Sequence, residues 1–195
     1  MGPPPRTERL IWRCWDGASA ADALLAAGLW GDDRVTALIG GPFDAAAVAA
    51  RLAAECQRAA DDDGVQYWPV FLRDDTAVDG FGEHVGAVGL RRYSGAAASC
   101  AGLGTVMEVG FHLRPAHWGK GLATEAAGAV LDHAFTELKV DAVFAGHNSK
   151  NERSRRTLLK LGFAYTHPEF YAPTGLMHPS YLITATGHRS LSAAS

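Results

Sequence analysis

The stretch EVGFHLRPAHWGKGLATE, residues 108–125, decides the fold of this chain. It begins with an alternation typical of a β-strand, in which apolar side chains fall on one side and the others on the opposite side. The apolar side is Val109, Phe111 and Leu113, and the other side is Glu108, Gly110 and His112. A glycine turn follows and leads directly into an amphipathic helix. Such a turn points free backbone N–H groups and the positive end of the helix dipole at one place, which favours phosphate binding.

Two well-known phosphate loops fit this stretch poorly. A Walker loop needs a glycine where Arg114 stands and a Ser or Thr where Gly121 stands. The dinucleotide fingerprint G-x-G-x-x-G is matched at Gly119 and Gly121, but its third glycine falls on Thr124. The alternative to a phosphate site is an ordinary strand-to-helix turn that binds no ligand.

Length and composition indicate one globular domain. The chain has 195 residues, of which 48% are hydrophobic and 20% are charged. We expect residues 7–187 to form the domain and residues 1–6 and 188–195 to be flexible ends. The formal net charge of −3 gives no general reason to expect a nucleic-acid partner. No apolar run approaches membrane-spanning length, so we expect no membrane partner.

Cysteine and histidine usage bears on compartment and metals. Cys14, Cys56 and Cys100 are odd in number and widely spread, which favours a reducing cytoplasm and a role as small buried side chains. The first ten residues lack the apolar segment of a signal peptide. The histidines show neither a His-x-x-x-His spacing nor a cluster with cysteine, so we predict no metal site.

Hydrophobic periodicity and turn residues predict a mixed α/β order, β-α-α-β-β-β-α-β-α-β-β, with a parallel strand pair at the glycine turn. The predicted strands are 9–15, 67–73, 84–92, 105–113, 140–146, 163–171 and 181–186. The predicted helices are 17–26, 45–60, 124–138 and 152–161. Asp16, Asp44 and Asn151 are the predicted N-caps of the first, second and fourth of these helices. Residues 93–104 form a predicted loop, and the His-Pro and Pro-Thr-Gly elements mark a turn between the last two strands.

The chain resembles the GNAT superfamily of acyl-CoA-dependent N-acetyltransferases from about Thr7 to Thr186. The resemblance rests on the element order and on EVGFHLRPAHWGKGLATEA followed by NERSRRTLLKLGF. The N-terminal segment RTERLIWRCW and the segment WGKGLATEA are most similar to the ribosomal-protein-alanine (Rim-type) branch. The resemblance implies the GNAT fold, which is a mixed, mostly antiparallel central sheet with a splayed parallel strand pair and flanking helices.

The resemblance also implies where acetyl-CoA binds. The superfamily's pyrophosphate motif, Q/R-x-x-G-x-G/A, falls on Trp118, Gly121 and Ala123, with Trp in place of the usual first residue. Backbone amides of 119–124 would hold the pyrophosphate, and the main chain of 111–113 would pair with the pantetheine arm beside a β-bulge. The implied cofactor-binding residues are Phe111, His112, Leu113, Trp118, Gly119, Lys120, Gly121, Leu122, Ala123, Thr124 and Asn151. One or more of Arg153, Arg155 and Arg156 could reach the adenosine 3′-phosphate, with a solvated helix face as the alternative, and we favour that alternative for Arg153.

Acetyl transfer to an amine needs a neutral amine, a stabilised oxyanion and a protonated leaving thiolate. Glu108 is the predicted base, directly or through a water, and its alternative role is a structural pairing with Arg91 or Arg92. His112 lies on the same face and is a second candidate base. Ser154 is the predicted proton donor to the thiolate, with a backbone contact in the first helical turn as its alternative.

Other groups complete the predicted reaction. Backbone N–H groups near Phe111 would stabilise the oxyanion, and Tyr165 and Tyr171 are further candidate acids. Neither motif segment contains a cysteine, so we predict direct transfer in a ternary complex. Trp30 is the predicted substrate-facing aromatic.

The sequence predicts an acetyl-CoA-dependent N-acetyltransferase, cytoplasmic and monomeric or homodimeric, whose acceptor is a protein N-terminal α-amine or a small amine. The acidic run 61–63, with Asp74, Asp75 and Glu83, could give the acceptor cleft a negative potential, although solvated loops are the simpler interpretation. The alternatives to an enzyme are a non-catalytic acyl-CoA sensor and a nucleotide-binding regulatory domain.

Overall fold

The computed structural model of the chain describes residues 2–4, 6–61, 64–93 and 102–192. Most of the loop predicted at 93–104 lies outside these residues, as do Cys100, Asp62 and Asp63. The strands are Leu10–Trp12 (β1), Tyr67–Arg73 (β2), Phe81–Arg92 (β3), Val106–Leu113 (β4), Ala142–Gly146 (β5), Ala164–Tyr171 (β6) and Leu176–Thr184 (β7). The helices are Ala20–Trp30 (α1), Asp33–Thr36 (α2), Ala45–Asp61 (α3), Leu122–Thr136 (α4), Glu152–Lys160 (α5) and Ala185–Ser192 (α6).

The seven strands form one sheet in the order β1-β2-β3-β4-β5-β7-β6. The neighbouring strands are antiparallel except for β4 and β5, which are parallel. The predicted fold class, a mixed and mostly antiparallel sheet with one parallel pair and flanking helices, is therefore confirmed. Among the described residues, no helix is both long and apolar enough to cross a membrane.

The alternation in β4 decides which layer covers each face of the sheet. Met107, Val109 and Leu113 are buried in the main core, where α4 packs against β3, β4 and β5. The amphipathic helix predicted after the glycine turn is confirmed. Its buried side is Ala127, Val130, Leu131, Ala134 and the partly buried Phe135, and the partly buried Leu138 follows just after its end at Thr136. A second cluster lies where α1 and α3 pack together with Tyr67 and Ala87 of the sheet.

Several predicted boundaries are wrong, for local reasons. The N-cap of α1 is Ser19, whose side chain accepts from the N–H of Asp22, and not Asp16. Helix α4 begins two residues earlier than predicted, because Gly121 serves as its N-cap. Helix α6 was absent from the predicted order and extends into the segment 188–195.

The His-Pro element lies inside β7 and does not mark the turn. A proline weakens a strand because it has no N–H to donate. Pro179 lies opposite Pro168 of β6, and its carbonyl oxygen accepts from the N–H of His147 at 3.3 Å. The turn between β6 and β7 contains the Pro-Thr-Gly element alone, where Gly175 has φ +66°.

We predict that His84 makes folding sensitive to mild acid. Its ring is 4% exposed and packs against Trp15 and Phe71, and burial lowers its pKa to about 4. Below pH 6.5 the unfolded chain takes up a proton that the folded chain refuses until about pH 4, so stability falls across this window as the pH drops.

Replacing His84 with Phe keeps the ring contacts and removes the titration. We expect the stability of His84→Phe to fall less steeply between pH 6.5 and pH 4 than that of wild type, by up to about 3 kcal/mol at pH 4. Urea unfolding at several pH values measures this difference. Parallel stability curves for the two proteins would show that His84 is not the group responsible.

Candidate active site

The parallel strands β4 and β5 pair over only three residues. The pairs are Val106 with Ala142, Met107 with Val143, and Glu108 with Phe144. Beyond Glu108, β4 continues to Leu113 and is paired with β3 alone among the described strands. Because each residue of a strand carries a hydrogen-bonding N–H and C=O, this leaves backbone groups of β4 open to a ligand.

The predicted β-bulge in β4 is wrong. The register between β3 and β4 is unbroken from the Arg92–Met107 pair to the Gly86–Leu113 pair, so no residue is inserted. The pairing of β4 with β5 nevertheless ends at Glu108 and Phe144, so the prediction of a splayed parallel pair holds without a bulge in β4 against β3.

The gap between β4 and β5 opens into a cleft of about 1450 Å³. The cleft is lined by both catalytic candidates, Glu108 and Ser154, and by every predicted cofactor-binding residue except Lys120. The backbone carbonyl of Lys120 accepts a hydrogen bond from Nη1 of Arg9 at 3.1 Å. The structure therefore brings the two sequence motifs together in one place.

The glycine turn has the conformation and the space that a phosphate site requires. Gly119 and Gly121 have φ angles of 76° and 77°, which favour glycine. A Cβ built on Gly119 would meet no atom of the described residues within 4 Å. No side chain caps the start of α4, so the N–H groups of its first turn have no side-chain acceptor.

Trp118 ties this turn to the end of β4. Its indole Nε1 donates to the carbonyl oxygen of Leu113 at 2.7 Å. The guanidinium carbon of Arg153 lies 4.6 Å from the centre of the Trp118 ring, within the range of a cation–π contact. Arg153 is exposed, as the interpretation of a solvated helix face expects, and its guanidinium also contacts the Trp118 ring of the glycine turn.

The first turn of α5 faces the same cleft. Asn151 is its N-cap, as predicted, and its Oδ1 accepts from the N–H of Ser154 at 3.1 Å. The side-chain NH₂ of Asn151 remains as a donor. The hydroxyl of Ser154 makes no hydrogen bond to the described residues, so the alternative of a backbone contact does not account for it.

Glu108 forms a bidentate ion pair with Arg91. Its Oε2 accepts from Nε at 3.0 Å and its Oε1 accepts from Nη2 at 2.8 Å. This is one of the two structural pairings that the sequence left open. Each carboxylate oxygen keeps a second lone-pair direction, so the pair fixes the carboxylate's orientation and leaves room for another donor.

His112 is held as a neutral ring. Trp30 donates from Nε1 to Nδ1 of His112 at 3.3 Å, which assigns the ring proton to Nε2. Burial, with the positive charges of Arg51 and Arg91, lowers the pKa of His112 to about 3. Trp30 is fully buried, so its predicted role as a substrate-facing aromatic is wrong.

Tyr67 is a site residue that the sequence analysis missed. A Cβ at Gly110 would lie 2.3 Å from Cζ and 2.5 Å from the hydroxyl oxygen of Tyr67, so the tyrosine requires this glycine. Burial raises the pKa of Tyr67, which keeps its hydroxyl protonated. A glycine inside a strand indicates such a close approach, but it does not identify the partner. Of the two tyrosines considered earlier, Tyr171 lines the cleft and Tyr165 does not.

The charged residues that line the cleft are mostly cationic, so among the described residues the possible negative potential is not found and the simpler interpretation of solvated loops holds. Asp61, Asp74, Asp75 and Glu83 do not line the cleft. The acidic lining residues are Glu108, Glu152 and Glu169, and the basic ones are Arg34, Arg51, Arg58, Arg91, Arg92, Lys150, Arg153, Arg156 and Lys160.

Comparison with known proteins agrees with this geometry. Residues 9–164 match the model of the acetyltransferase (GNAT) domain, and the chain belongs to this family. It is similar to the probable N-acetyltransferase YjcK of Bacillus subtilis, with 47% identity over 55 residues, which are 28% of this chain and 30% of that protein. It is also similar to the uncharacterized N-acetyltransferase YnaD of Bacillus subtilis, with 28% identity over 107 residues and 51% of each chain covered. These matches span about a third to a half of the relatives' lengths.

Solved structures confirm the fold. An acetyltransferase of the GNAT family from Bacillus anthracis superposes with a TM-score of 0.70 at 21% identity, over 93% of this chain and 98% of that one. An acetyltransferase from Agrobacterium tumefaciens superposes with a TM-score of 0.71 at 23% identity, over 93% and 94% of the two chains.

Proposed function

We propose that the protein is an acetyl-CoA-dependent N-acetyltransferase that transfers the acetyl group directly to a primary amine. The observation that carries this proposal is one continuous cleft. It runs from the glycine turn, along the unpaired edge of β4, to the ion pair of Glu108 and Arg91. Family membership supports acetyl-CoA as the acetyl donor.

The residues present fit the co-substrate. The open space beside Gly119 and the uncapped start of α4 suit a pyrophosphate, which the amides of 119–124 would hold. Arg153 adds a positive charge next to that turn. The main chain of 111–113 and the amide of Asn151 would hold the pantetheine arm, in the manner of an added strand.

When bound, acetyl-CoA supplies the acetyl group as a reactive thioester. The carboxylate of Glu108 takes a proton from the acceptor ammonium, directly or through a water, and Arg91 holds that carboxylate in place. Backbone N–H groups near Phe111 donate to the carbonyl oxygen of the reacting group. The neutral amine attacks the thioester carbonyl carbon, and the C–S bond breaks as the amide forms. The hydroxyl of Ser154 donates a proton to the leaving sulfur and regains one from the nitrogen, which loses its second proton as it becomes an amide.

His112 is unsuited to the role of base. Its pKa of about 3 lies far below neutral pH, and its Nδ1 already accepts from Trp30. The remaining Nε2–H is a hydrogen-bond donor. Glu108 is therefore the better supported of the two candidates.

The acceptor class and setting are also part of the proposal. The relatives named above do not single out the Rim-type branch, so an N-terminal α-amine and a small amine both stay open. We place a single domain of residues 7–187 in the cytoplasm, as a monomer or homodimer. The second candidate, a non-catalytic acyl-CoA sensor, needs no base, whereas the free hydroxyl of Ser154 and the oriented Glu108 favour catalysis.

We predict that Gly119→Val weakens acetyl-CoA binding by about 10-fold or more, because a branched side chain would occupy the phosphate position. Isothermal calorimetry measures this affinity. The matched control is Gly175→Val, since Gly175 also has a positive φ, +66°, and open surroundings but lies in the β6–β7 turn. Equal affinities for wild type and a folded Gly119→Val would overturn the pyrophosphate assignment.

We predict that Glu108→Gln lowers kcat by about 100-fold while acetyl-CoA affinity is unchanged. Glutamine keeps the shape and an acceptor for Arg91 but cannot take the proton. The acidic limb of the pH–rate profile should also become flatter. Steady-state kinetics with free-thiol detection measures both effects.

Glu169→Gln is the control for this change, because Glu169 is another cleft carboxylate and accepts from the Tyr93 hydroxyl. We expect it to change kcat by less than about threefold. Equal rates for wild type and Glu108→Gln would leave Glu108 with only its structural pairing to Arg91.

A further inference from the structure

Arg51 of α3 places a positive charge in the wall of the cleft without a carboxylate partner. Within the described part of the chain it forms no ion pair within 4.0 Å and no hydrogen bond. Its Nε atom is buried. Burial lowers the pKa of Arg51, which reflects the cost of removing the guanidinium from water.

Two other arginines that line the same cleft each have a carboxylate partner. Arg91 pairs with Glu108, and Arg34 pairs with Asp32. The acid one turn after Arg51 is Glu55, which forms an ion pair with Arg58 and accepts from the backbone N–H of Tyr67 at 2.9 Å. Glu55 therefore makes its hydrogen bonds to other groups. Its negative charge raises the pKa of Arg51, but burial has the larger effect and the pKa of Arg51 is lowered.

Two aromatic rings hold the guanidinium of Arg51 in position. Its central carbon lies 5.3 Å from the centre of the Trp30 ring and 5.4 Å from that of Phe43. Trp30 donates to Nδ1 of His112, so the guanidinium lies near the face of β4 that carries Glu108, Gly110 and His112. Its positive charge contributes to the lowered pKa of His112.

We propose that Arg51 binds an anionic group of the acceptor, so that the preferred acceptor is an amine that also carries a carboxylate or a phosphate. The inference rests on the proposed acetyltransferase function and names its substrate class. The planar guanidinium presents paired N–H donors that match two oxygens of either anion. The acceptor's ammonium then meets Glu108 while its anion meets Arg51.

Charge complementarity also explains what the cleft rejects. A polyamine carries positive charge at both ends and would place one of them among Arg51, Arg91 and the other cationic lining residues. A zwitterionic amine places opposite charges against both Glu108 and Arg51. The cleft therefore selects acceptors by the charge of their second functional group and favours a negative one over a positive one.

Matched acceptor pairs test this inference. Each pair differs in one anion: an amino acid and its amide, phosphoethanolamine and ethanolamine, and an N-terminal peptide with aspartate or asparagine at its second residue. We expect wild type to prefer the anionic member of at least one pair by about 10-fold or more in kcat/KM. The pair that shows the preference distinguishes carboxylate from phosphate and free amine from peptide.

Arg51→Met should lower kcat/KM for that anionic member by about 100-fold, mainly through KM, and change the neutral member by less than about threefold. Arg51→Lys should recover part of the loss, because lysine restores the positive charge but not the paired N–H donors of the planar guanidinium. Arg34→Met is the matched control, since its charge is already paired, and we expect it to keep the preference. Unchanged melting temperature and acetyl-CoA affinity show that the variants are folded.

The outcomes separate this inference from the proposed function. Transfer to amines without any preference for the anionic members, or with a preference that Arg51→Met retains, would overturn the inference alone. If no amine is acetylated, the proposed function fails. Calorimetric binding of the same pairs to the CoA-saturated protein then decides the inference, because tighter binding of the anionic member must also depend on Arg51.

Discussion

The short pairing between β4 and β5 is the constraint on which the rest of this structure depends. Two parallel strands that share only three residue pairs leave one edge of the longer strand without a strand partner. Backbone polar groups in that position need hydrogen bonds from another source. The glycine turn and the first turn of α5 lie along the same opening, so one gap in the sheet collects the backbone donors and the side chains of the site.

The charged residues on this side of the cleft differ in their partners. Glu55 contacts Arg58 and the N–H of Tyr67, Glu108 is oriented by Arg91, and Arg51 has no ion-pair partner within the described part of the chain. A buried charge is costly unless it is paired. The position of Arg51 therefore says more about the function of the cleft than the ion pairs do.

Local sequence predicted the parts of the site that depend on local geometry. The alternation in β4, the turn at Gly119 and Gly121 and the cap at Asn151 each follow from a few neighbouring residues. Contacts between distant segments could not be predicted in this way. Tyr67 against Gly110 joins residues 43 positions apart in the chain, and Trp30 supports His112 from 82 positions away. The β-bulge prediction was wrong because the register between β4 and β3 depends on the pairing of two separate strands, which a local pattern does not show.

Hydrogen–deuterium exchange with and without acetyl-CoA tests the central claim most directly. We expect acetyl-CoA to slow amide exchange in residues 109–113 and 119–124, because those amides pass from water to the co-substrate. The amides of β1, at the far edge of the sheet, should be unaffected. Tight binding of acetyl-CoA with protection confined to other segments would contradict the account.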